Sequence, residues 1–267
     1  MKKSNVIQRF IFTIAHSIFL IICITLLILP IYIYSRIKCL IKKDAELFKE
    51  FSLSSKIILF GLGVDYRCDE ELPEGSYIVG ANHESMIDVF LISAFYNGRK
   101  GIVFVNNYLF RIPILGFFMR KIKAISVTVE KYENGLVKNS KIDPEDLKKL
   151  TKLLKSGYDA FIFPEGTRTI DGQLLPFQDG ASVISMRSGK KIIPIGITGG
   201  YEFYNKKSWM FNPAALPIAM KIGEPIDYAG TSGKALTVLI KEKIEICIKN
   251  AKELRERSML VNGWPMC

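Results

Sequence analysis

The longest apolar stretch of the chain lies near its N-terminus, from Phe10 to Tyr34. It contains no aspartate, glutamate, lysine or arginine, and it is longer than the ~20 residues that a membrane-spanning helix needs. A secretory signal peptide would have a shorter apolar core followed by a small-residue cleavage site, and the stretch has neither. The pattern therefore predicts an N-terminal membrane-anchoring helix, which we assign to a hydrophobic anchor segment, residues 1–44.

The charges that flank this stretch bear on its topology. Lysines and arginines occur on both sides, with a slight excess after the stretch, which favours a single anchor with the rest of the chain on the cytoplasmic face. A hairpin anchor that returns to the same face of the membrane is the alternative. Both arrangements predict a membrane localisation.

From Ser76 onward, short apolar runs rich in β-branched residues alternate with helical patterns. The runs do not alternate between apolar and polar positions, which is typical of strands covered on both faces. The candidate strands are Tyr77–Ala81, Ile102–Val105, Ala124–Val129, Ala160–Phe163, Ile192–Ile197 and Ala219–Ile222. Strands that alternate with helices predict an α/β domain over residues 45–267, with a single mostly parallel or mixed sheet flanked by helices.

Three segments have helical patterns: Met86–Tyr96, Asp143–Gly157 and Ser232–Arg257. In the second of these, Asp143 is a candidate N-cap and Pro144 suits the first turn. Its leucines recur on one face and its lysines occupy the other, as in a helix that covers a sheet.

Composition narrows the classes of partner. The chain has 267 residues, a hydrophobic fraction of 49% and a net charge of +11. This balance favours contact with anionic membrane lipids or with phosphate-bearing substrates. Nucleic acid is not an expected partner, because no helix-turn-helix, zinc or aromatic RNA-reading signature is present. With five dispersed cysteines and two histidines, we expect no metal site.

The first motif with chemical character is N-H-E-S-M-I-D, from Asn82 to Asp88. It follows a predicted strand and leads into a predicted helix, so it lies where open α/β sheets bind ligands. A carboxylate that orients an imidazole produces a general base, and His83 with Asp88 fits this pair. The motif lacks the G-x-S-x-G elbow of a serine nucleophile, so a substrate hydroxyl is the expected nucleophile. A buried histidine that only hydrogen-bonds to a carboxylate is the alternative interpretation.

The second motif is F-P-E-G-T-R, from Phe163 to Arg168, again directly after an apolar run. Gly166 permits a tight turn and a close approach of the backbone to a ligand. The Arg168 guanidinium can bind a phosphate with two parallel hydrogen bonds, and Glu165 can accept from a substrate hydroxyl or hold Arg168 in place. The alternative is a surface turn with a solvated ion pair.

Together the two motifs resemble those of the glycerolipid acyltransferase family, of the type that acylates 1-acyl-glycerol-3-phosphate. A later apolar strand that contains Pro194 is similar to a further block of the family, and the resemblance runs from about Ser76 to Ile222. It implies that His83 is the general base and Asp88 its orienting partner. It also implies a substrate-binding set, which comprises Asn82, Ser85, Glu165, Gly166, Thr167 and Arg168.

The resemblance further implies a reaction and its partners. A fatty acyl group would pass from acyl-CoA or acyl-carrier protein to a hydroxyl of a lysophospholipid such as lysophosphatidic acid, without a covalent enzyme intermediate and without a metal or other cofactor. The expected partners are membrane lipids, the lyso-lipid acceptor and the acyl-thioester donor. A phospholipid transacylase and a non-catalytic lipid-binding protein with the same fold are the alternatives.

The chain departs from the family pattern at cationic positions. Asn106 stands where the family has lysine, the arginine expected in the following strand falls near Val129, and Gln178 replaces a frequent lysine. Fewer fixed cations weaken the binding of a phosphomonoester, which predicts an acceptor other than lysophosphatidic acid: a lysophospholipid with a larger head group, or another hydroxylated lipid. In the alternative, a cation is supplied from a shifted position, for which the candidates are Arg120, Lys121, Lys123 and Lys131.

The apolar and aromatic segment from Tyr108 to Met119 is a candidate for contact with lipid, or for the wall of an acyl groove. Burial in the protein core is the alternative.

Overall fold

One eight-stranded mixed sheet organises the chain. The computed structural model describes residues 28–133, 136–208, 210–228 and 230–262. In chain order the strands are β1 (Tyr66–Arg67), β2 (Ile78–Ala81), β3 (Gly101–Asn106), β4 (Ile125–Glu133), β5 (Leu136–Ile142), β6 (Asp159–Ile162), β7 (Ile192–Thr198) and β8 (Ile218–Ile222). Their order in the sheet is β1-β8-β7-β2-β6-β3-β4-β5.

The five central strands of the sheet run parallel to one another, and the outer strands run opposite to them, with β1 parallel to β8. Strands β7, β2, β6, β3 and β4 pair in parallel, whereas β5 pairs antiparallel with β4 and β8 antiparallel with β7. Every residue of β2, β6 and β7 is buried, as expected for apolar strands covered on both faces. The predicted mixed α/β sheet is therefore confirmed, and the two strands that prediction missed, β1 and β5, lie in its outer parts.

Helices cover both faces of the sheet. They are α1 (described over residues 28–41), α2 (Phe48–Gly61), α3 (Ile87–Tyr96), α4 (Pro113–Lys121), α5 (Pro144–Lys155), α6 (Gly180–Ser188), the single turn α7 (Gly200–Phe203) and α8 (Gly233–Asn262). Two short 3₁₀ helices, Asn107–Arg111 and Pro213–Ala215, complete the set of described helices. One core cluster joins α4, α5 and α8 to one face of the sheet, and a second joins α3 to the other.

Helix α5 begins where its sequence predicts. The Asp143 side chain accepts a hydrogen bond from the Glu145 amide at 2.8 Å, and Pro144 is the first residue of the helix. Leu150 and Leu154 are fully buried against the sheet, so the amphipathic pattern correctly identified the packed face.

The N-terminal anchor prediction falls largely outside the described residues. Residues 10–27 of the apolar stretch are not described, and the rest of it belongs to α1. Within the described part of the chain, no helix combines the length and the apolar character that a bilayer crossing requires. Helix α1 packs on α4 through Tyr32, whose ring meets that of Phe117 edge-on at 5.4 Å between centroids.

Helix α8 lies unusually close to β7 because Gly196 has no side chain. A Cβ atom at this position would come within 2.2 Å of the Cys247 carbonyl carbon and the Ile248 nitrogen, both of which are helix backbone. We expect Gly196→Ala to lower the free energy of unfolding by about 3 kcal/mol or more, at the upper end of overpacking effects, because no side-chain rotation relieves the clash. Chemical denaturation of the purified variant measures the change.

The matched control for this variant is Gly233→Ala at the start of α8. A Cβ atom there would meet only the Met186 sulfur at an ordinary 3.7 Å, so stability should change by about 0.5 kcal/mol or less. Equal stabilities for the two variants would contradict the tight packing of α8 on β7.

Candidate active site

Three segments meet at one edge of the sheet, each directly after a neighbouring parallel strand. His83 follows β2, Glu165 and Arg168 follow β6, and α7 follows β7. Because β7, β2 and β6 are adjacent and parallel, their carboxyl ends lie side by side. The motifs, which are far apart in sequence, thus form one site at the edge where open α/β sheets bind ligands.

The imidazole of His83 is oriented by Asp88. His83 Nδ1 lies 2.9 Å from Asp88 Oδ2, and the same oxygen accepts hydrogen bonds from the Glu84 and Ser85 amides at 2.7 Å each. Because Asp88 Oδ2 accepts both amide hydrogens, it also acts as an acceptor toward the imidazole. His83 Nδ1 therefore carries a proton and donates it to this oxygen. The other ring nitrogen, Nε2, is then left with a lone pair and bonds to no described residue.

Packing holds the same ring from its face. The Phe163 ring stacks on His83 with 3.8 Å between centroids and 11° between planes. The Asp88 side chain is fully buried, whereas the His83 side chain remains 15% exposed. The imidazole is therefore reachable from outside, and the carboxylate that orients it is not.

Glu165 fastens the second motif to the first. Its carboxylate accepts from the His83 backbone amide at 2.6 Å and from the Leu175 amide at 2.8 Å. Burial raises the pKa of Glu165 to about 7, although the two amide hydrogen bonds act in the opposite direction. The structure thus places Glu165 beneath the backbone of the histidine motif.

The turn after Glu165 carries the cationic part of the site. Gly166 has φ +68°, a left-handed conformation that glycine adopts without strain, and Arg168 is half-buried. Lys206, from the loop that follows α7, donates to Thr167 Oγ1 at 2.7 Å. Sequence reasoning did not identify Lys206, because it belongs to neither motif.

Asn82 and Ser85, which were predicted to bind substrate, are buried and bond to backbone. The Asn82 amide donates to the Ile197 carbonyl at 2.8 Å and accepts from the Ile197 amide at 2.7 Å, which clamps β2 to β7. Ser85 Oγ donates to the Tyr204 carbonyl. These contacts assign both residues a structural role, and contact with substrate stays a prediction for them.

The neutral positions noted in the sequence have local partners. Asn106 accepts from the Tyr108 amide at 3.3 Å and Gln178 donates to the Val137 carbonyl at 3.0 Å. Three of the cations considered as replacements are also engaged elsewhere: Arg120 with the Phe110 carbonyl, Lys121 with the Lys43 carbonyl and Lys123 with Glu46. Among the described residues, no cluster of three or more histidine, cysteine or acidic side chains has the arrangement of a metal site.

A narrow apolar cavity reaches Phe163, the residue whose ring stacks on His83. Phe163 and Phe161 contribute to its lining from the β6 side, Val89 and Ile92 from α3, and Phe104 from β3. The residues expected to form an acyl groove, Tyr108 to Met119, do not line it. They form the 3₁₀ helix and α4 instead, with Tyr108, Ile112 and Ile114 exposed and Phe118 and Met119 buried.

Glu84 makes the stability of the site dependent on pH. Burial raises the pKa of Glu84 to about 8 from an ordinary 4.5, and the nearby Asp88 carboxylate acts in the same direction. Between these values the folded protein holds a proton that the unfolded chain has released, so stability should fall as pH rises through the window. In thermal unfolding from about pH 5 to 9, Glu84→Gln should show a smaller decline of Tm than the wild type.

Equal declines of Tm with pH in the wild type and in Glu84→Gln would contradict the raised pKa of Glu84. Glutamine keeps an acceptor for the Tyr201 amide, which bonds to Glu84 Oε2 at 3.1 Å, so the comparison isolates the titration from the hydrogen bond.

Gly200 allows α7 to approach Asp88, whose carboxylate orients the His83 imidazole. A Cβ atom at this position would lie 2.9 Å from Asp88 Oδ1 and 3.3 Å from Ser85 Cβ. Gly200→Ala should therefore push Asp88 away from His83, and it should reduce the activity of the site at least about tenfold. A turnover assay with a crystal structure or histidine NMR spectrum of the variant measures both effects.

Gly180→Ala is the control for Gly200→Ala. Gly180 is likewise the first residue of a helix, and a Cβ atom there would meet nothing within 4 Å. Wild-type turnover in both variants would exclude the close approach of α7 as a requirement of the site.

Comparison with known proteins agrees with this site. A model of the family described as Acyltransferase matches residues 63–198, which include both motifs. The 1-acyl-sn-glycerol-3-phosphate acyltransferase of Pseudomonas aeruginosa is 25% identical over 182 residues, 68% of this chain and 66% of that protein. The chloroplastic 1-acyl-sn-glycerol-3-phosphate acyltransferase BAT2 of Brassica napus is 32% identical over 123 residues, 45% of this chain and 32% of that protein.

A solved structure extends the likeness beyond the motifs. The crystal structure of the 1-acyl-sn-glycerophosphate (LPA) acyltransferase PlsC from Thermotoga maritima superposes with a TM-score of 0.63 at 26% sequence identity, covering 78% of this chain and 79% of that one. The chain spans about a third of the length of the plant relative and about two thirds of the bacterial one. Because the family model covers about half of the chain, with the His83–Asp88 pair inside the match, the chain belongs to the acyltransferase family.

Proposed function

We propose that this chain is an O-acyltransferase that moves a fatty acyl group from an acyl thioester to a hydroxyl of 1-acyl-glycerol-3-phosphate or a related lysophospholipid. The observation that carries the proposal is the 2.9 Å contact between His83 Nδ1 and the buried Asp88, which leaves Nε2 as an acceptor. The names of the relatives support the choice of substrates, since they act on 1-acyl-sn-glycerol-3-phosphate.

The reaction follows from the position of the base. His83 Nε2 accepts the proton of the acceptor hydroxyl while the oxygen attacks the thioester carbonyl carbon. The new C–O bond forms, the C–S bond breaks, and the imidazolium returns the proton to the departing thiolate. Asp88 stabilises the imidazolium between these steps, and a positioned base of this kind accounts for about 10²–10⁴-fold in rate. The acyl group passes directly between substrates, so no protein nucleophile is required.

The apolar cavity that Phe163 lines is the proposed binding site for the fatty chain of the donor. Phe163 forms both the stack on His83 and part of the cavity lining. A chain that enters between α3 and β3 would bring its carboxyl end to the base, where the chemistry takes place. Burial of each methylene contributes about 0.8 kcal/mol to binding. A donor whose fatty chain enters the cavity would therefore bind more tightly than one held by its head group alone.

The exposed surface of helix α1 supports the proposal that the enzyme is bound to a membrane. Leu29, Ile33, Ile37, Leu40 and Ile41 are exposed, and their spacing places them along one stripe of the helix. An apolar stripe of this extent is costly in water and favourable against lipid. The acceptor and the donor chain both partition into membranes, so an enzyme seated on the bilayer meets its substrates there.

The proposal is tested by mass spectrometry of the lipids that the purified full chain forms from a mixed pool of lyso-lipids and acyl thioesters. A new diacyl lipid that requires the thioester supports it, whether the donor is acyl-CoA or acyl-carrier protein. Formation of the product from phospholipid alone would indicate a transacylase. Binding of lyso-lipid without any transfer would indicate a non-catalytic lipid-binding protein.

A further inference from the structure

The side chain of Glu84 is a buried acid that takes no part in the proposed acyl transfer. Glu84 lies between His83 and Ser85 in the first motif and is only 8% exposed. Its backbone amide donates to Asp88 Oδ2 at 2.7 Å, and its carboxyl oxygen Oε2 accepts from the Tyr201 amide at 3.1 Å. Glu84 therefore connects the carboxylate that orients the imidazole to the single turn α7.

Two carboxyl groups converge on the start of α7. A Cβ atom at Gly200 would lie 2.9 Å from Asp88 Oδ1 and 3.4 Å from Glu84 Cβ, so both side chains border the same point. Asp88 Oδ1 is buried and has no hydrogen-bond partner among the described residues. Because this oxygen is neither solvated nor bonded, a second negative charge next to it is strongly unfavourable. One carboxyl group of such a pair is expected to keep its proton.

The hydrogen bonds indicate which of the two groups keeps the proton. Asp88 Oδ2 accepts from the Glu84 and Ser85 amides and from the His83 ring, and three donors stabilise a negative charge. Burial raises the pKa of Glu84 to about 8, and the charges of Asp88 and Glu202 act in the same direction. Near neutral pH the pair therefore holds one negative charge, on Asp88, and Glu84 is uncharged.

The other charged groups near this pair belong to the elements packed around it. Glu202 on α7 lies 3.9 Å from Arg255 of α8, and its side chain is half exposed. Glu165, which follows β6, bonds to the His83 amide, and burial raises the pKa of its carboxyl to about 7. Because Glu165 also titrates near neutral pH, the contribution of Glu84 is measured by comparing variants.

We propose that Glu84 is a positioning residue for the acyl transfer: while uncharged it holds the start of α7 against Asp88, and when ionised it drives Asp88 out of its contact with His83. This inference rests on the proposed function and adds an upper pH limit to it. Two ionised carboxylates at one buried point repel each other until α7 moves away or water enters. Either change loosens Asp88, and the imidazole then loses the orientation that the 2.9 Å contact provides.

The test follows kcat with pH, at saturating substrates, in wild type and Glu84→Gln. Glutamine stays uncharged at every pH and still accepts from the Tyr201 amide. Wild-type kcat should fall about tenfold or more between about pH 7 and about pH 9.5, whereas that of Glu84→Gln should change by about twofold or less. Equal declines in the two proteins, or no decline in wild type, would overturn the inference.

Glu202→Gln is the matched control, because it removes a carboxylate from the same turn at a half-exposed side chain. It should keep the decline of kcat. Because the charge of Glu202 opposes the ionisation of Glu84, the decline should begin at a lower pH than in wild type. If the decline disappeared in this variant, the pH limit would not belong to Glu84 and the inference would fail.

A spectroscopic measurement separates this inference from the proposed function. The chain has two histidines, His16 and His83, so the NMR spectrum of histidine-labelled protein has few ring signals, and a His83→Phe spectrum assigns them. In wild type the His83 signals should show a step at about pH 8, where Glu84 ionises, and Glu84→Gln should lack it. If wild type transfers no acyl group, the proposed function fails, yet this difference still decides the role of Glu84. Signals that move alike in both proteins would reject that role even where transfer is observed.

Discussion

Replacing His83 with alanine is expected to lower kcat for acyl transfer by about 10²–10⁴-fold, with little change in KM for either substrate. The reason is that the variant loses the ring nitrogen proposed to accept the hydroxyl proton, whereas the hydrogen bonds of the motif's backbone amides are made by other atoms. The His83 backbone amide, which bonds to Glu165 at 2.6 Å, is retained in the variant. Steady-state kinetics beside a thermal unfolding curve measures both quantities.

His83→Phe is the informative companion to the alanine variant. A phenyl ring can keep the stack on Phe163, where the present centroids are 3.8 Å apart, but it has no nitrogen. Both variants should be equally inactive, and the phenylalanine variant should be the more stable of the two. Activity within about tenfold of wild type in either variant would remove His83 as the base.

Replacing Asp88 with asparagine is expected to reduce kcat by about 10²-fold or more, and up to about 10⁴-fold, with the fold retained. The amide oxygen of asparagine can still accept from the Glu84 and Ser85 amides, which now bond to Oδ2 at 2.7 Å. It lacks the negative charge that stabilises a protonated imidazole and that selects the tautomer with Nε2 free. Turnover at saturating substrates measures the loss.

The double variant His83→Ala with Asp88→Asn sharpens this prediction. If Asp88 acts through the imidazole, the double variant should be no slower than His83→Ala alone, because residues that act as a unit are not additive. Losses that multiply would show that Asp88 contributes by another route. Asp159→Asn is the control for a buried carboxylate: it faces Arg99 at the opposite end of β6, so it should lower stability without lowering kcat.

Much of this fold can be predicted from the sequence, because its central strands are buried on both faces. Runs such as that of β7 are continuously apolar, and six of the eight strands were recognised from such runs. The missed strand β5 pairs on one side only, and its sequence Leu136–Ile142 mixes apolar and polar residues. Strand β1 has two residues, which is too short for any periodicity to register.

The residues of the site likewise include some that the sequence predicts and one that it does not. His83, Asp88, Glu165 and Arg168 belong to compact motifs, so their proximity to one another could be expected from strand order. Lys206 could not be, because it lies in a polar loop whose sequence resembles many solvated turns. Lys206 follows β7, a strand that lies next to β2 in the sheet. This position indicates its place near His83, but only once the order of the strands is known.

The hydrogen bonds that assemble the site join distant parts of the chain. Asn82 bonds to Ile197 across 115 positions, His83 to Glu165 across 82, and Ser85 to Tyr204 across 119. A nascent polypeptide still lacking β7 would have its histidine motif and the Glu165 turn, but it would lack the bond of Asn82 to Ile197 and that of Ser85 to Tyr204. Catalytic competence should consequently arise late during synthesis, in one step, and a proteolytic fragment that ends before β7 should be inert however well its first strands pair.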